Sequence, residues 1–378
     1  MEWLAMLVFP LLWMAVDLVG SIRERRLSKE GLRTETWRDD FQILVPIYGS
    51  ARYLTNAEYL APHAGRVILC TTSGESDEFY TELDAIAARY KFTVYRSPHR
   101  PPMAGGKRLT GGTIRDRIVR DALVHAVTLK YVVCLDADTT TPQPLWLLVG
   151  ELARRDAELA SIRLVPQTHG RSMVQFQRHE YRQSMRMRFV VPWLVSGACH
   201  AGTSDAMRAI MLRHSLFFQG NDVETGLLAE QLGYRVCHIP FEVNTDVPDT
   251  WKAWWRQRLA WSGGEFRLFV ANFRYFLKHP FLWAYGGIVT IAMFSLRWWA
   301  ISTATTTIIA VGVLYVCAVI WLHWEHRNRW LLLLPLYSLF TSLIVAPVGI
   351  VWYFVMAIPE KNFGIIRPKG KVPASSLN

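Results

Sequence analysis

Asp136 and Asp138 stand one residue apart at the end of a short apolar run, Tyr131-Val-Val-Cys-Leu-Asp-Ala-Asp-Thr139. On a strand, residues i and i+2 share a face, so both carboxylates can point at one hard cation and hold it against a diphosphate. That is the chemistry a nucleotide-sugar site needs. The plainer reading is an Asp-rich turn capping the next element, and on the Asp-X-Asp spacing alone the plainer reading leads. Further stretches bear on the choice. Asp222, in Gln219-Gly-Asn-Asp-Val-Glu-Thr225, opens a helical stretch that continues to Tyr234, where an acid often serves only as a cap. Between Tyr95 and Arg115, Gly105, Gly106, Gly111 and Gly112 permit close backbone approach, and Lys107 or Arg108 can meet a phosphate; a solvated loop has the same composition. Val195-Ser-Gly-Ala-Cys-His-Ala-Gly-Thr-Ser204 is a run of small residues that suits a tight substrate passage or a simple turn. Trp251 to Trp261, rich in Trp and Arg, reads as an amphipathic helix lying on a membrane surface.

The elements that must position these groups follow from the apolar pattern. Phe41–Tyr48, Arg66–Cys70, Phe92–Tyr95 and Tyr131–Leu135 are short continuous apolar runs, with a helical stretch around Glu78–Tyr90 between the second and third. Such runs, alternating with amphipathic helices, indicate a parallel sheet covered on both faces. Ligands of these sheets sit at the carboxyl ends of the strands. Tyr48-Gly49, Thr72-Ser73 and Asp136/Asp138 all fall there.

Hydropathy divides the chain of 378 residues into an apolar segment at Trp3–Val19, a water-compatible region of about 260 residues, and an apolar block from Phe281 to Ile358. Arg23, Arg25, Arg26 and Lys29 follow the first segment, which predicts an uncleaved anchor with the central domain on the cytoplasmic side rather than a signal peptide. The net charge of +11 is concentrated near Arg23–Arg38, Arg256–Lys278 and Lys361–Lys371, as anionic lipid would attract it, so nucleic acid is not expected as a partner. Cys70, Cys134, Cys199, Cys237 and Cys317 show no metal-ligand spacing and read as free thiols. The expected organisation is an anchor over 1–21, a cytoplasmic domain over 39–250, interfacial helices over 251–280, membrane helices over 281–360 and a cytoplasmic tail over 361–378. Apolar blocks at Leu282–Leu296, Trp298–Trp321 and Trp330–Ile358, the last broken by Pro347, predict five spans in all.

Taken in order, Pro46/Tyr48, Lys107, Asp136-Ala-Asp138, Ser196-Gly-Ala-Cys199, Asn221-Asp222 and Gln257-Arg-Leu-Ala-Trp261, followed by apolar spans, resemble the membrane-embedded processive glycosyltransferases of family 2: hyaluronan, chitin and cellulose synthases. The likeness covers nearly the whole chain. It implies an α/β, Rossmann-like glycosyltransferase domain with a mixed, mostly parallel sheet, plus interfacial helices and an α-helical transmembrane bundle. Asp138 would bind Mg2+ or Mn2+, with Asp136 helping to hold metal and donor. Pro46, Tyr48, Thr72, Lys107, Gln257, Arg258 and Trp261 would bind the nucleotide-sugar. Gly197, Ala198, Cys199 and Trp261 would face the acceptor, and Asp222 would be the general base.

The same resemblance implies an inverting transfer, from a UDP-sugar to a growing polysaccharide that leaves through the membrane bundle in the plasma membrane. A single transfer to a lipid or polyprenyl phosphate is the alternative, and an inactive membrane scaffold the third reading. The departures are Ala260 where the motif has Arg, Asn221 where it has an acid, and Thr72 where an Asp is expected to meet the base, which bears against uridine.

Overall fold

The computed structural model describes residues 2–33, 37–99, 103–104, 107–108, 111–167, 172–272, 295, 298–299, 305–324 and 328–366. They fall into two compact units. One, built on a sheet, takes Ser28–Gln167 and Val191–Asp246. The other, built of helices, takes Met1–Leu27, Thr168–Val190 and Val247–Ile366.

The sheet unit contains strands β1 (Phe41–Pro46), β2 (Val67–Thr72), β3 (Thr93–Ser97), the two-residue pair β4 (Met103–Ala104) and β5 (Lys107–Arg108), β6 (Tyr131–Leu135), β7 (Leu159–Pro166), β8 (Cys199–Thr203) and β9 (Val236–Thr245). The main sheet has seven strands in the order β3-β2-β1-β6-β8-β7-β9. β1 pairs in parallel with β2 (Ile43 beside Val67) and with β6 (Phe41 beside Tyr131). β8 runs against both β6 and β7, and β7 runs parallel to β9, so the sheet is mixed and mostly parallel. Central strands are buried on both faces, which is why they read as unbroken apolar runs: Ile43, Leu44, Val45, Leu69, Val132 and Val133 have no solvent exposure. Truncating one of them, such as Leu44→Ala, costs about 2–5 kcal/mol.

Helix starts are written locally. The helix after β2, Asp77–Tyr90, is capped by Ser76, whose hydroxyl accepts the Phe79 amide, and it carries Asp77 and Glu78 in its first turn. It buries Phe79, Leu83 and Ala87, one per turn, and stops at Lys91 in the left-handed conformation. We label the helices of both units α1 (Glu2–Glu30), α2 (Ala57–Leu60), α3 (Asp77–Tyr90), α4 (Gly111–His125), α5 (Leu145–Arg154), α6 (Ser172–Arg188), α7 (Ser204–Met211), α8 (Asn221–Gln231), α9 (Trp251–Phe266), α10 (Thr305–Leu322), α11 (Leu334–Phe340) and α12 (Ala346–Glu360).

The helical unit holds α1, α6 and α9–α12. Arg186 of α6 joins three of its helices: Nε donates to Glu24 at 2.9 Å, Nη1 to Asp17 at 3.3 Å and Nη2 to the Leu322 carbonyl at 3.1 Å. Phe176, Val319, Leu331 and Leu334 form an apolar cluster in the same unit, with Tyr337 packed on its edge. The long terminal apolar block is not one regular helix: a π-helical turn, Thr341–Val345, separates α11 from α12, just before Pro347, which has no N–H to donate to the preceding turn. Among the described residues one stretch, Leu343–Glu360, with mean hydropathy 1.8, is long and apolar enough to cross a membrane; Gly312–Leu322 is apolar but shorter. Of the blocks from which five spans are expected, 282–296, apart from Ser295, lies outside the described residues.

Candidate functional site

β6 ends at Leu135, so Asp136 and Asp138 are not on a strand face as expected: they sit on a tight turn closed by the Thr139 amide donating to the Asp136 carbonyl at 3.1 Å. The turn is braced from the segment before α2. The Thr55 and Asn56 amides both donate to the Ala137 carbonyl, at 3.0 and 3.2 Å. The buried Asn56 carboxamide donates to the carbonyls of Asp136 (3.0 Å) and Thr139 (2.7 Å). The Asp136 amide in turn donates to the Ala198 carbonyl at 2.9 Å. Such bracing fixes where both carboxylates project.

The two acids are treated differently by their neighbours. Asp138 accepts a hydroxyl bond from Thr139 at 3.1 Å, and its pKa is pushed up by burial and then by the charge of Asp136. Asp136 is balanced by a cation that sequence spacing did not single out. Arg115 of α4 donates from Nε to Asp136 Oδ1 at 2.8 Å, from Nη1 to Asp116 Oδ1 at 3.1 Å, and from Nη2 to the Gly197 carbonyl. Burial alone would depress the Arg115 pKa; the carboxylates of Asp136 and Asp116 outweigh it and raise it. Asp116 is buried, which pushes its own pKa up against the pull of Arg115, and it is hydrogen-bonded by the Asn221 side chain. The acid missing at Asn221 is therefore matched in space by Asp116 of another helix.

Asp222 lies one hydrogen bond from this network. Its Oδ2 accepts the Gly197 amide at 2.9 Å, so its carboxylate reaches across to the turn before β8 and is more than a cap for its own helix. The first turn of α8 follows Gly220 in the left-handed conformation, φ 84°. The preceding loop carries two further left-handed residues, Leu216 (φ 50°) and Phe218 (φ 62°), each costing about 1–3 kcal/mol of backbone strain. The fully buried Glu224 holds that loop, accepting the Ser215 amide and hydroxyl at 2.7 Å each. Gly226 lets α8 approach the chain at Trp193: a Cβ there would lie 1.8 Å from the Trp193 carbonyl oxygen. Beneath Arg115 and Asp222, His200 is buried and neutral, its pKa lowered to about 4 by burial and by Arg115, with Nδ1 3.0 Å from the Ser196 carbonyl.

Around the other strand ends, Pro46 closes β1, with Tyr48 two residues on. Thr72, fully buried, ends β2. The place after β2 does hold an acid: Glu75 accepts the Thr72 hydroxyl at 2.7 Å and the Gly49 amide at 3.0 Å. Lys107 falls in β5, paired with Ala104, while its side chain and Gly105 and Gly106 lie outside the described residues. Gly197 and Ala198 form the turn before β8. Cys199, expected at the acceptor, is instead buried in the sheet opposite Leu135, and burial pushes its thiol well above the ordinary range.

Gln257, Arg258 and Trp261 belong to α9 in the helical unit. Arg258, expected at the diphosphate, is already engaged there: Nε and Nη2 grip the Glu180 carboxylate, at 2.9 and 2.5 Å, and Nη1 donates to Gln257 Oε1. Its guanidinium also lies 4.2 Å from the Trp261 ring, whose side chain stays 42 % exposed.

A divalent cation suits this chemistry. Among the described residues no three or more His, Cys, Asp or Glu side chains gather into a metal cage. A cation such as Mg2+ commonly takes one or two carboxylates and completes its shell with substrate phosphates and water. Among the described residues no cationic side chain bonds the half-buried Asp138 beside Asp136, so it is the group such an ion would relieve.

The chain resembles known proteins in keeping with this geometry. The family model described as glycosyl transferase family group 2 matches residues 131–358, more than half of the chain. No curated relative matches. Among solved structures, the mannosyltransferase PcManGT from Pyrobaculum calidifontis, in complex with GDP-Man and Mn2+, superposes with TM-score 0.57 at 16% identity, over 93% of this chain and 99% of that one. TarS 1–349 of S. aureus covers 83% of this chain and 90% of its own at TM-score 0.37 and 11% identity. Glucosyl-3-phosphoglycerate synthase from Mycobacterium tuberculosis covers 55% and 70% at TM-score 0.34 and 20% identity. The PcManGT likeness establishes a shared Rossmann-like fold, and with the family match the chain is a glycosyltransferase that belongs to glycosyl transferase family group 2.

Proposed function

We infer that the chain catalyses inverting, cation-dependent transfer of a sugar from a nucleotide-diphosphate donor to the hydroxyl of a growing polysaccharide. The observation that carries the inference is the continuous path Asp136–Arg115–Gly197–Asp222, which sets a donor-side acid and a candidate base at one end of one sheet. Asp138 and Asp136 would hold Mg2+ or Mn2+, which when bound neutralises the diphosphate leaving group. Asp222, with Oδ2 fixed by the Gly197 amide, takes the acceptor proton. The acceptor oxygen then bonds the anomeric carbon as the bond to the diphosphate breaks. The carboxylate of Glu75 suits a base with an imino N–H, uracil or guanine, and PcManGT, by its description, binds GDP-Man.

The chain's apolar segments and basic flanks support a membrane enzyme with its catalytic unit on the cytoplasmic side, and α9 as its interfacial helix. A second reading, single transfer to a lipid-linked or polyprenyl-phosphate acceptor, is favoured by one observation: Arg258 is spent on Glu180 and Ala260 replaces the other motif cation, which weakens the polymerase signature.

The test is to incubate the purified chain with UDP- and GDP-sugars, Mn2+ and a membrane lipid extract. The released nucleotide is identified and the product sized. A ladder supports the polymerase, a single-sugar lipid product the second reading, and no release from any donor refutes both.

A further inference from the structure

We propose that Arg115 is a positioning residue that couples the donor-side carboxylate to the acceptor-side turn, and that its charge limits how tightly the Asp136/Asp138 pair binds a divalent cation. The proposal rests on the glycosyltransferase reading above. Arg115 shares the helical face of Val119 and Ala122, both buried, at i+4 and i+7, so α4 carries a cation on its inward side. Its side chain is 16 % exposed. Three separate pieces of chain meet at its guanidinium: Asp136 after β6, Asp116 on α4 itself and the Gly197 carbonyl before β8.

Gly197 is where the donor and acceptor sides touch. Its carbonyl accepts from Arg115 while its amide donates to Asp222, so one peptide segment relays the position of Asp136 to the candidate base. A Cβ at Gly197 would stand 3.6 Å from Asp222 Oδ2 and 3.8 Å from Arg115 Nη1. The planar fork of arginine suits this junction; lysine carries the charge but presents one point and cannot span three partners.

The charge has a separate consequence. A guanidinium bonded to Asp136 opposes a second cation at the same carboxylate pair. Even screened as in bulk water, a positive charge about 6 Å from a divalent ion opposes it by about 1.4 kcal/mol, so removing it tightens cation binding by about tenfold or more. A residue that merely stabilised the fold would weaken binding when lost, because the acids would move apart.

The experiment compares the full chain with Arg115→Gln and Arg115→Lys. Mn2+ binding without donor is followed by titration calorimetry, donor turnover is measured separately, and thermal melting checks the fold. Arg115→Gln is expected to bind Mn2+ about tenfold more tightly while turnover falls about 100-fold. Arg115→Lys is expected to keep wild-type Mn2+ affinity and still lose turnover. Unchanged or weaker Mn2+ binding in a folded Arg115→Gln overturns the proposal. If that variant does not fold, Arg115→Lys decides: loss of both properties, or of neither, overturns it. Failure of the underlying reading looks different, since wild type would then bind no Mn2+ that Asp138→Asn abolishes.

Discussion

Arg115 in the sheet unit and Arg186 in the helical unit each gather two carboxylates, yet their surroundings differ. Around Arg186 the partners Asp17 and Glu24 keep 5 % and 10 % of their side chains exposed, and the remaining contacts go to the Leu322 carbonyl and His323. Around Arg115, Asp136 keeps 33 % exposed and stands beside Asp138, which no cationic side chain bonds among the described residues. A closed cluster fixes helices; an open one with a like-charge neighbour is prepared to receive something. Arg258 with Glu180 is of the closed kind, so a motif match alone does not show which arginine is available to a ligand.

The sharpest break in this comparison is at Asp222. Asp222→Asn should lower turnover by about 10²–10⁴-fold with melting unchanged; a loss under about tenfold would move the base elsewhere. On the closed side, Arg186→Met leaves Asp17 and Glu24 buried without their shared cation and should cost about 3–5 kcal/mol of stability, read by melting in detergent. An unchanged melt would show that the cluster is not closed.

Asp138 offers a milder contrast. Its folded pKa is raised, so the ionised carboxylate opposes folding at neutral pH, and that cost vanishes as pH falls through the raised value toward 3.8. Without metal, Asp138→Asn should melt about 2–4 °C higher than wild type at pH 7, with the difference fading on acidification, while cation-dependent activity is lost. The smallest expected effect on stability is at Gly197. Gly197→Ala places a methyl in ordinary contact with Asp222 and Arg115, so stability should hold within about 0.5 kcal/mol. The acceptor KM should nevertheless rise about tenfold.

Much of the sheet unit could be read from the chain before its coordinates. The apolar runs became β1, β2, β3 and β6 within a residue or two; β1, β2 and β6 are doubly buried strands with no polar face to disguise them, while β3 is the exposed edge. The helical stretch expected around Glu78–Tyr90 became α3, Asp77–Tyr90, its start fixed locally by the Ser76 cap. What escaped was long-range. Asn56 lies 80 residues from the Asp136 carbonyl it holds, and Glu180 lies 78 residues from Arg258. No spacing rule joins such pairs. Arg115 did leave a signal, a charge on the same helical face as Val119 and Ala122, hidden within the basic run Arg115-Asp-Arg-Ile-Val-Arg120. The Asp-X-Asp pair was assigned a strand face, but β6 stops at Leu135 once Asn56 and Ala198 take up the backbone groups beyond it.

The central claim is that Asp138 and Asp222 act together on a nucleotide-sugar. It is tested most directly by nucleoside diphosphate release from the purified chain with its donor and a saturating acceptor, with Mn2+ and then with chelator, in wild type, Asp138→Asn and Asp222→Asn. Release that needs Mn2+ in wild type and collapses in both variants is the predicted result. Wild-type release that persists under chelation, or in Asp138→Asn, would contradict it.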